Sequence, residues 1–192
     1  MRSRHDRAVG NLAPQLTSFV GRERDIPELG KLVSERCLLT LTGPGGCGKT
    51  RLALAVASEV ASAFEDGVWL VELSSVSEPG LVSRSVASVL LVPEAHGIPV
   101  HETLVEHLEA RNVLLVLDNC EHLSGACADL VDTLLRACPS VRVLATSREV
   151  LGVPGEVAWP VPPLSLPEVP DLPAEKLRRY EAIRLFVERA RA

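Results

Sequence analysis

Residues 43–50 are Gly43-Pro44-Gly45-Gly46-Cys47-Gly48-Lys49-Thr50, and they fill every fixed position of the pattern G-x-x-x-x-G-K-[ST]. An apolar and β-branched run precedes this loop at 37–42, and a helix-like segment follows it at 50–61. Glycines in such a loop let backbone N–H groups surround phosphates, and the helix N-terminus adds its positive dipole end. We therefore expect a nucleoside triphosphate site rather than a glycine-rich turn that arose by chance.

Two residues of the loop have side chains with a defined chemical task. In this layout Lys49 would reach the β- and γ-phosphates, and the Thr50 hydroxyl would hold Mg²⁺. All residues of 43–50, together with Arg51 directly behind them, form the expected nucleotide-binding set.

The composition is that of a folded, acidic protein. Of its 192 residues, 46% are hydrophobic, 23% are charged and only 3% are aromatic. A core built mainly from Leu, Val and Ala suits parallel strands that lie between helices. The formal net charge of −5 argues against nucleic acid as the main partner, because that binding relies on dense Lys and Arg contacts. The cluster Arg2, Arg4, His5 and Arg7 is interpreted as a solvated, mobile terminus, with nucleic-acid contact as the alternative.

Nothing in the sequence indicates export or membrane insertion. No apolar run approaches the roughly 18 residues of a membrane-spanning helix. The five cysteines are odd in number and lack the spacing of a metal site, so we expect reduced thiols. We therefore expect a cytoplasmic protein without membrane contact.

Apolar runs of strand length alternate with helix-like segments along most of the chain. This alternation predicts an α/β fold of the P-loop NTPase type, with a five-stranded parallel sheet flanked by helices. The expected strands are 37–42, 67–73, 113–117, 141–146 and 157–161, and the expected helices are 23–35, 50–61, 79–91, 100–110 and 125–138.

Composition also divides the chain into segments. Residues 1–18 lack periodicity and are expected to form a flexible leader before a nucleotide-binding domain at 19–161. Six prolines between Pro160 and Pro173 predict a linker at 162–174. Residues 175–192 are expected to be one helix, the start of an incomplete lid that needs a partner.

Two further strand ends carry candidate catalytic residues beside Lys49. Asp118 follows the apolar run 114–117 and is expected to coordinate Mg²⁺ through water, the alternative being a turn or cap residue. Arg148 follows the strand at 141–146 and is expected to bind the γ-phosphate and report its presence. The alternative for Arg148 is an exposed side chain in a surface salt bridge.

The general base for hydrolysis has no clear candidate in the sequence. The residue after Asp118 is Asn119, whose amide orients water but does not accept its proton at neutral pH. Glu121 and Glu72 are candidate substitutes. We therefore expect slow hydrolysis at most, which suits a switch better than a motor.

Four segments together resemble one protein family. They are Val20-Gly21-Arg22-Glu23, the loop 43–50, LLVLDNCEH at 114–122 and Ala145-Thr146-Ser147-Arg148-Glu149. Over about residues 17–192 the chain resembles the NB-ARC-like nucleotide-binding domain of STAND ATPases, especially that of actinobacterial LuxR-type and SARP-type transcriptional regulators. The resemblance implies ATP or ADP with Mg²⁺ as cofactors and an ASCE sheet of strand order 2-3-4-1-5.

The resemblance also assigns a site to the segment before the first helix. It implies that Val20, Gly21 and Arg22 lie near the adenine, whereas the alternative is a helix start with a glycine turn. The family's Gly-Leu-Pro-Leu lid motif, winged helix, helical repeats and DNA-binding helix-turn-helix do not occur in this chain. We therefore expect a fragment that binds nucleotide and contacts the missing output domains or a second copy.

Three functions are compatible with these patterns. The first is an ATP/ADP-dependent switch module of a transcriptional regulator, in which ADP holds a closed state. The second is an AAA+-like or kinase-type enzyme that consumes ATP, and the third is an inactive truncated remnant. A GTPase is disfavoured because the chain has no Asn-Lys-x-Asp motif.

Overall fold

The computed structural model describes residues 10–13, 19, 21–167 and 173–190, without the side chains of residues 174 and 175. The strands are β1 Leu38–Thr42, β2 Val68–Glu72, β3 Leu114–Asp118, β4 Arg142–Ser147 and β5 Glu156–Pro160. The helices are α1 Asp25–Glu35, α2 Lys49–Val60, α3 Val82–Val89, α4 Val100–Leu108, α5 Ser124–Ala137, α6 Ala174–Leu177 and α7 Glu181–Arg189. Three short 3₁₀ turns lie at Ala61–Ala63, Pro79–Leu81 and Cys120–Leu123.

The five strands form one parallel sheet in the order β2-β3-β4-β1-β5. This confirms the predicted fold class and the strand order that the family resemblance implied. β1 lies between β4 and β5, and Thr42 at its end is paired with Ser147 of β4. The carboxyl ends of β1, β3 and β4 are therefore neighbours, at the edge where open α/β sheets bind ligands.

Helices cover the sheet on both faces, and β3 shows why the chain folds this way. Its side chains alternate between the two faces of the sheet. Leu115 and Leu117 belong to the core that α3, α4 and α5 close. Leu114 and Val116 belong to the core that α1 and α2 close. A strand whose odd and even positions are both apolar is stable only when both faces of the sheet are buried there.

The segment at 10–13 differs from the flexible leader expected there. Gly10 forms a parallel bridge with Val68 of β2. The Asn11 side chain accepts a hydrogen bond from the Leu70 N–H at 2.6 Å and donates one to the Leu70 carbonyl at 2.9 Å. An amide has both a donor and an acceptor, so it can replace a strand at a sheet edge. Residues 1–9 and 14–18 lie outside the described residues.

The single helix expected at 175–192 is wrong, because the described part of this segment contains two helices. α6 ends at Leu177, and α7 begins after Tyr180, whose backbone is extended with φ −84° and ψ 131°. An extended residue interrupts the helical hydrogen-bond series and lets the chain change direction. Residues 161–167 have no regular structure, as expected for the linker, while the division into domains stays a prediction.

Within the described residues, none of the helices has the length and apolar character needed to cross a membrane.

Candidate functional site

The loop at 43–50 connects β1 to α2 with a backbone that only glycine readily adopts. Gly43 has a φ of 147°, and a Cβ atom there would lie 2.9 Å from the Val161 carbonyl oxygen. Gly48 has a φ of 90° and is the residue before the first turn of α2. These two glycines let the chain turn directly into the helix. The first N–H groups of α2 therefore lie beside the loop, as an anion site requires.

Two cavities meet at this loop. The first, of about 290 Å³, is called the polar cavity. The second, of about 450 Å³, is called the apolar cavity. The polar cavity is lined by Gly45, Gly46, Gly48, Lys49, Thr50, Arg51, Asp118, Asn119, Glu121 and Thr146. The apolar cavity is lined by Phe19, Arg22, Pro44, Gly45, Gly46, Cys47, Gly48, Arg51, Pro163, Leu164, Leu166, Ala182 and Leu185.

Asp118 is a buried carboxylate at the end of β3, in the wall of the polar cavity. Its Oδ1 atom accepts a hydrogen bond from the Thr50 hydroxyl at 2.7 Å and one from the Thr146 hydroxyl at 2.6 Å. Carboxylate and hydroxyl oxygens are ligands that Mg²⁺ prefers, with phosphate and water completing its shell. The donor set of Thr50 and Asp118 therefore fits the magnesium ion that the sequence predicts.

Lys49 is buried at the start of α2 and is held by the loop itself. Its Nζ atom donates to the carbonyl oxygens of Gly43 at 2.8 Å and Pro44 at 3.0 Å. Phosphate oxygens offer an ammonium group stronger, charge-assisted hydrogen bonds than these carbonyls do. Lys49 is thus positioned to exchange its carbonyl partners for an anion in the polar cavity.

Glu121 is the one of the two candidate bases that lines the polar cavity. When the Asn119 amide nitrogen faces it, that nitrogen donates to both carboxylate oxygens of Glu121, at 2.9 and 3.0 Å. Arg148 Nε also donates to Glu121 Oε1 at 3.2 Å. Glu72 is exposed at the end of β2, opposite Asp118 in the strand pairing, and does not line this cavity.

Arg148 lies beside the polar cavity rather than in its wall. Its side chain is 66% exposed, and it forms an ion pair with Glu121. It lines a third cavity, of about 340 Å³, into which Ser147, His122 and Glu149 also face. The structure therefore brings Lys49 and Asp118 together, and one carboxylate separates Arg148 from them. Its role as a γ-phosphate sensor stays a prediction.

Arg22 is buried between the loop and the linker. Its Nη2 atom donates to the carbonyl oxygen of Cys47 at 3.0 Å and also to that of Pro162. Arg22 lines the apolar cavity, whereas Gly21 is not among the lining residues and Val20 lies outside the described residues. The role of these three residues near an adenine stays a prediction.

Sequence reasoning missed the role of Thr146. From the sequence, only Arg148 of the segment 145–149 is assigned a role. Thr146 is 1% exposed, and besides donating to Asp118 it accepts a hydrogen bond from the Asn119 N–H at 2.9 Å. A hydroxyl residue within an otherwise apolar and buried strand was the signal that could have found it.

Several known proteins are similar in sequence to this chain. The AAA domain family matches residues 33–151. An uncharacterized protein of Mycobacterium tuberculosis is 44% identical over 176 residues, covering 92% of this chain and 42% of that protein. A "Putative HTH-type transcriptional regulator" of the same organism is 42% identical over 159 residues, covering 83% of this chain and 16% of that protein. The chain thus spans less than half the length of these curated relatives.

Solved structures share the fold at low identity. The ORC1 protein of Aeropyrum pernix, in complex with DNA, has a TM-score of 0.59 and 22% identity, covering 88% of this chain and 50% of that chain. A signal transduction ATPase with numerous domains (STAND) and a tetratricopeptide repeat sensor, from Pyrococcus horikoshii, has a TM-score of 0.54 and 16% identity. That match covers 78% of this chain and 24% of that chain. Because the family match covers more than half of the chain, the protein belongs to the AAA domain family and is a P-loop ATPase domain similar to a bacterial regulator.

Proposed function

We propose that the chain is an ATP/ADP-binding switch module of a STAND-type signalling ATPase in a cytoplasmic transcriptional regulator, with at most slow ATP hydrolysis. The observation that carries this proposal is the junction of the polar and apolar cavities at the loop 43–50. A nucleotide has an anionic end and a flat, largely apolar end, and one loop here borders a compartment suited to each.

In this proposal the polar cavity takes the phosphates. Lys49 and the N–H groups at the start of α2 bind the phosphate oxygens. Thr50 and Asp118 hold Mg²⁺, which when bound neutralises charge on the triphosphate. The hydrogen bond between these two residues supports this assignment, because it places both oxygens at one point of the cavity wall.

The apolar cavity takes the adenine in this proposal. Its walls come from the segment before α1, from residues 163–166 and from α7, so they include Phe19, Leu164 and Leu185. Arg51 lies 5.8 Å from the centre of the Phe19 ring, which places a cation at the rim where the two cavities meet. The NB-ARC-like pattern of Val20-Gly21-Arg22 before α1 supports the same assignment.

The surroundings of Glu121 support slow turnover. A general base must be free to accept a proton from water. Here Arg148 donates a hydrogen bond to the Glu121 carboxylate, and the Asn119 amide donates to it as well when its nitrogen faces Glu121. A base engaged by two donors is hindered in that task, which suits a module that holds its nucleotide for long periods.

The relatives support a regulatory setting. One is described as an HTH-type transcriptional regulator, and one structural neighbour is a STAND protein with a repeat sensor. Because these proteins are much longer than this chain, sensing and DNA binding fall to other domains in this proposal. This chain then contacts those domains or a second copy of itself. The formal charge of −5 agrees with a module that makes no direct contact with nucleic acid.

A second candidate is an AAA+-like or kinase-type enzyme that consumes ATP. The position of Glu121 in the wall of the polar cavity favours it, because this carboxylate lies on the same wall as Asp118. If nucleotide binding releases Glu121 from Asn119 and Arg148, the site has both a metal ligand and a base.

The test is calorimetric titration of the purified chain with ATP and with ADP in Mg²⁺, together with phosphate release. The switch predicts micromolar binding of both nucleotides and turnover below about one per minute. Turnover near the common enzyme range of roughly 10 s⁻¹ would instead support the second candidate.

Lys49→Ala is the control for this test. It removes the ammonium group while leaving the glycines of the loop in place. Loss of binding in this variant assigns the titration signal to the loop. If the wild-type chain does not bind nucleotide, the proposal is overturned, and the remaining interpretation is an inactive truncated remnant.

A further inference from the structure

Thr146 occupies a central place in the hydrogen bonds around Asp118. It lies in β4, between β3 and β1, and its side chain is buried. Its hydroxyl accepts from the Asn119 N–H at 2.9 Å and donates to Asp118 Oδ1 at 2.6 Å. One hydroxyl therefore joins two consecutive residues at the end of β3.

The two hydroxyls that donate to Asp118 are not equivalent. Thr50 is exposed in the first turn of α2, and the proposed function gives its oxygen to Mg²⁺. A hydroxyl that binds a cation through an oxygen lone pair can still donate its hydrogen, so in the proposed function Thr50 serves both the cation and Asp118. Thr146 is buried in the sheet, and the proposed function gives it no metal to bind, so its hydroxyl serves Asp118 and the Asn119 N–H alone.

Thr146 also stabilises an unusual backbone conformation. Asn119 has a φ of 68° and a ψ of 51°, the left-handed region that non-glycine residues seldom adopt. The Thr146 hydroxyl satisfies the N–H of this residue. The next residues begin the turn Cys120–Leu123, which contains Glu121. The direction of the chain toward Glu121 thus depends in part on the same hydroxyl.

We infer that Thr146 is a positioning residue, which holds the Asp118 carboxylate in the orientation that binds Mg²⁺ and fixes the Asn119 turn. This inference rests on the proposed function. It predicts that Thr146 acts on nucleotide affinity only through the metal, because its hydroxyl donates to Asp118 while Lys49 and the loop bind the phosphates directly.

The test compares Thr146→Val, which keeps the shape of the side chain and removes the hydroxyl, with Thr146→Ser, which keeps the hydroxyl. Thr40→Val is a matched control, since Thr40 is equally buried in neighbouring β1 and its hydroxyl has no hydrogen-bond partner among the described residues. Dissociation constants for ATP are measured by calorimetry in excess Mg²⁺ and in excess EDTA.

Thr146→Val is expected to weaken ATP binding in Mg²⁺ by roughly tenfold, the effect typical of a residue that orients a metal ligand. Its affinity in EDTA should equal that of the wild type. Thr146→Ser and Thr40→Val should behave like the wild type in both buffers.

Other results overturn the inference. An equal loss in Mg²⁺ and in EDTA would show a general structural role, and no loss would show that Asp118 needs no second donor. Thr146→Ala provides a smaller substitution, and if neither it nor Thr146→Val unfolds cooperatively, the hydroxyl serves folding alone. Absence of ATP binding by the wild type would instead overturn the proposed function itself.

Discussion

At the scale of single residues, the candidate site contains a few buried polar groups that are positioned by hydrogen bonds. Lys49 is held by two loop carbonyls, and Asp118 by two hydroxyls. Each buried charge has partners, as a low-dielectric interior requires. Replacing one member therefore changes the chemistry of the cavity as well as its shape.

Asp118→Asn tests the metal site at this scale. The substitution keeps an oxygen that both threonine hydroxyls can reach and removes the negative charge. We expect roughly tenfold weaker ATP binding in Mg²⁺ and unchanged or tighter binding in EDTA, because repulsion between the carboxylate and the phosphates is gone. Calorimetry in the two buffers checks this, and equal affinities of variant and wild type in Mg²⁺ would contradict a metal ligand at Asp118.

Arg148→Ala distinguishes between the two hypotheses for Arg148, a γ-phosphate sensor and a surface salt bridge. If Arg148 senses the γ-phosphate, the variant should bind ATP about tenfold more weakly and ADP as the wild type does. If Arg148 only pairs with Glu121 at the surface, neither affinity should change. Arg136→Ala is the matched control, because Arg136 is a similarly exposed arginine paired with Asp132 on α5.

The cysteines give a prediction that is independent of nucleotide. Cys37 is exposed and the other four cysteines are buried. A hydrogen bond with Cys127, together with burial, raises the pKa of the Cys120 thiol and keeps it protonated. We expect a disulfide reagent such as dithiobisnitrobenzoate to label one thiol rapidly at pH 8 and the others only after unfolding. Cys37→Ser should remove the rapid phase, and several rapid thiols would contradict the described packing.

At the scale of elements, the strand order decides which residues meet. β4 lies between β3 and β1, so Thr146 near its end contacts Asp118 and lines the same cavity as the loop. The helices on the two faces bury every residue of β3, and Asp118 at its carboxyl end lines the polar cavity. At the edge of the sheet that β2 forms, the segment at 10–13 pairs with part of that strand.

Asn11→Ala tests whether the segment at 10–13 stabilises the edge of β2. The variant loses both side-chain hydrogen bonds to Leu70, which are exposed to solvent. We expect the free energy of unfolding to fall by about 1 kcal/mol, the net value of ordinary hydrogen bonds at an exposed site. Urea denaturation followed by circular dichroism measures the change. An unchanged midpoint would mean that the segment does not hold the edge of β2 in solution.

At the scale of the whole molecule, the C-terminal segment contacts the region around the loop through α7. Glu181 accepts a hydrogen bond from the Arg22 N–H at 3.2 Å, and its other oxygen accepts one from the Ser165 N–H at 3.3 Å. Arg184 forms an ion pair with Glu23 at 3.1 Å. The apolar cavity has walls from both of these regions, so its shape depends on α7 staying in place.

Glu181→Ala should loosen this arrangement. We expect severalfold weaker nucleotide binding and faster proteolysis after residue 160, because two backbone N–H groups lose their acceptor. Limited proteolysis with and without ADP measures the second effect. Glu188→Ala removes a carboxylate from the same helix and serves as the control. If both variants match the wild type, α7 does not contribute to the cavity in solution.

Much of this molecule was predictable because its information is local. The spacing of glycines, Lys49 and Thr50 indicates a phosphate loop, and the alternation of apolar runs indicates a parallel sheet. The edge contact of Asn11 could not be predicted, because an asparagine in an aperiodic segment has no local pattern. The break between α6 and α7 could not be predicted for a related reason. The apolar residues keep a helical spacing across 178–180, although the backbone there is not helical.

The sequence by itself therefore determined the fold class, the loop with Lys49 and Thr50, and the position of Asp118 at the end of its strand. Those features follow from residue types at short range, where backbone conformation and side-chain periodicity act directly. Only the tertiary structure decided that Thr146 and Thr50 share one oxygen of Asp118, and that Glu121 lies between Asn119 and Arg148. The physical reason is that these contacts depend on which strands become neighbours, and strand order is set by packing across the whole sheet.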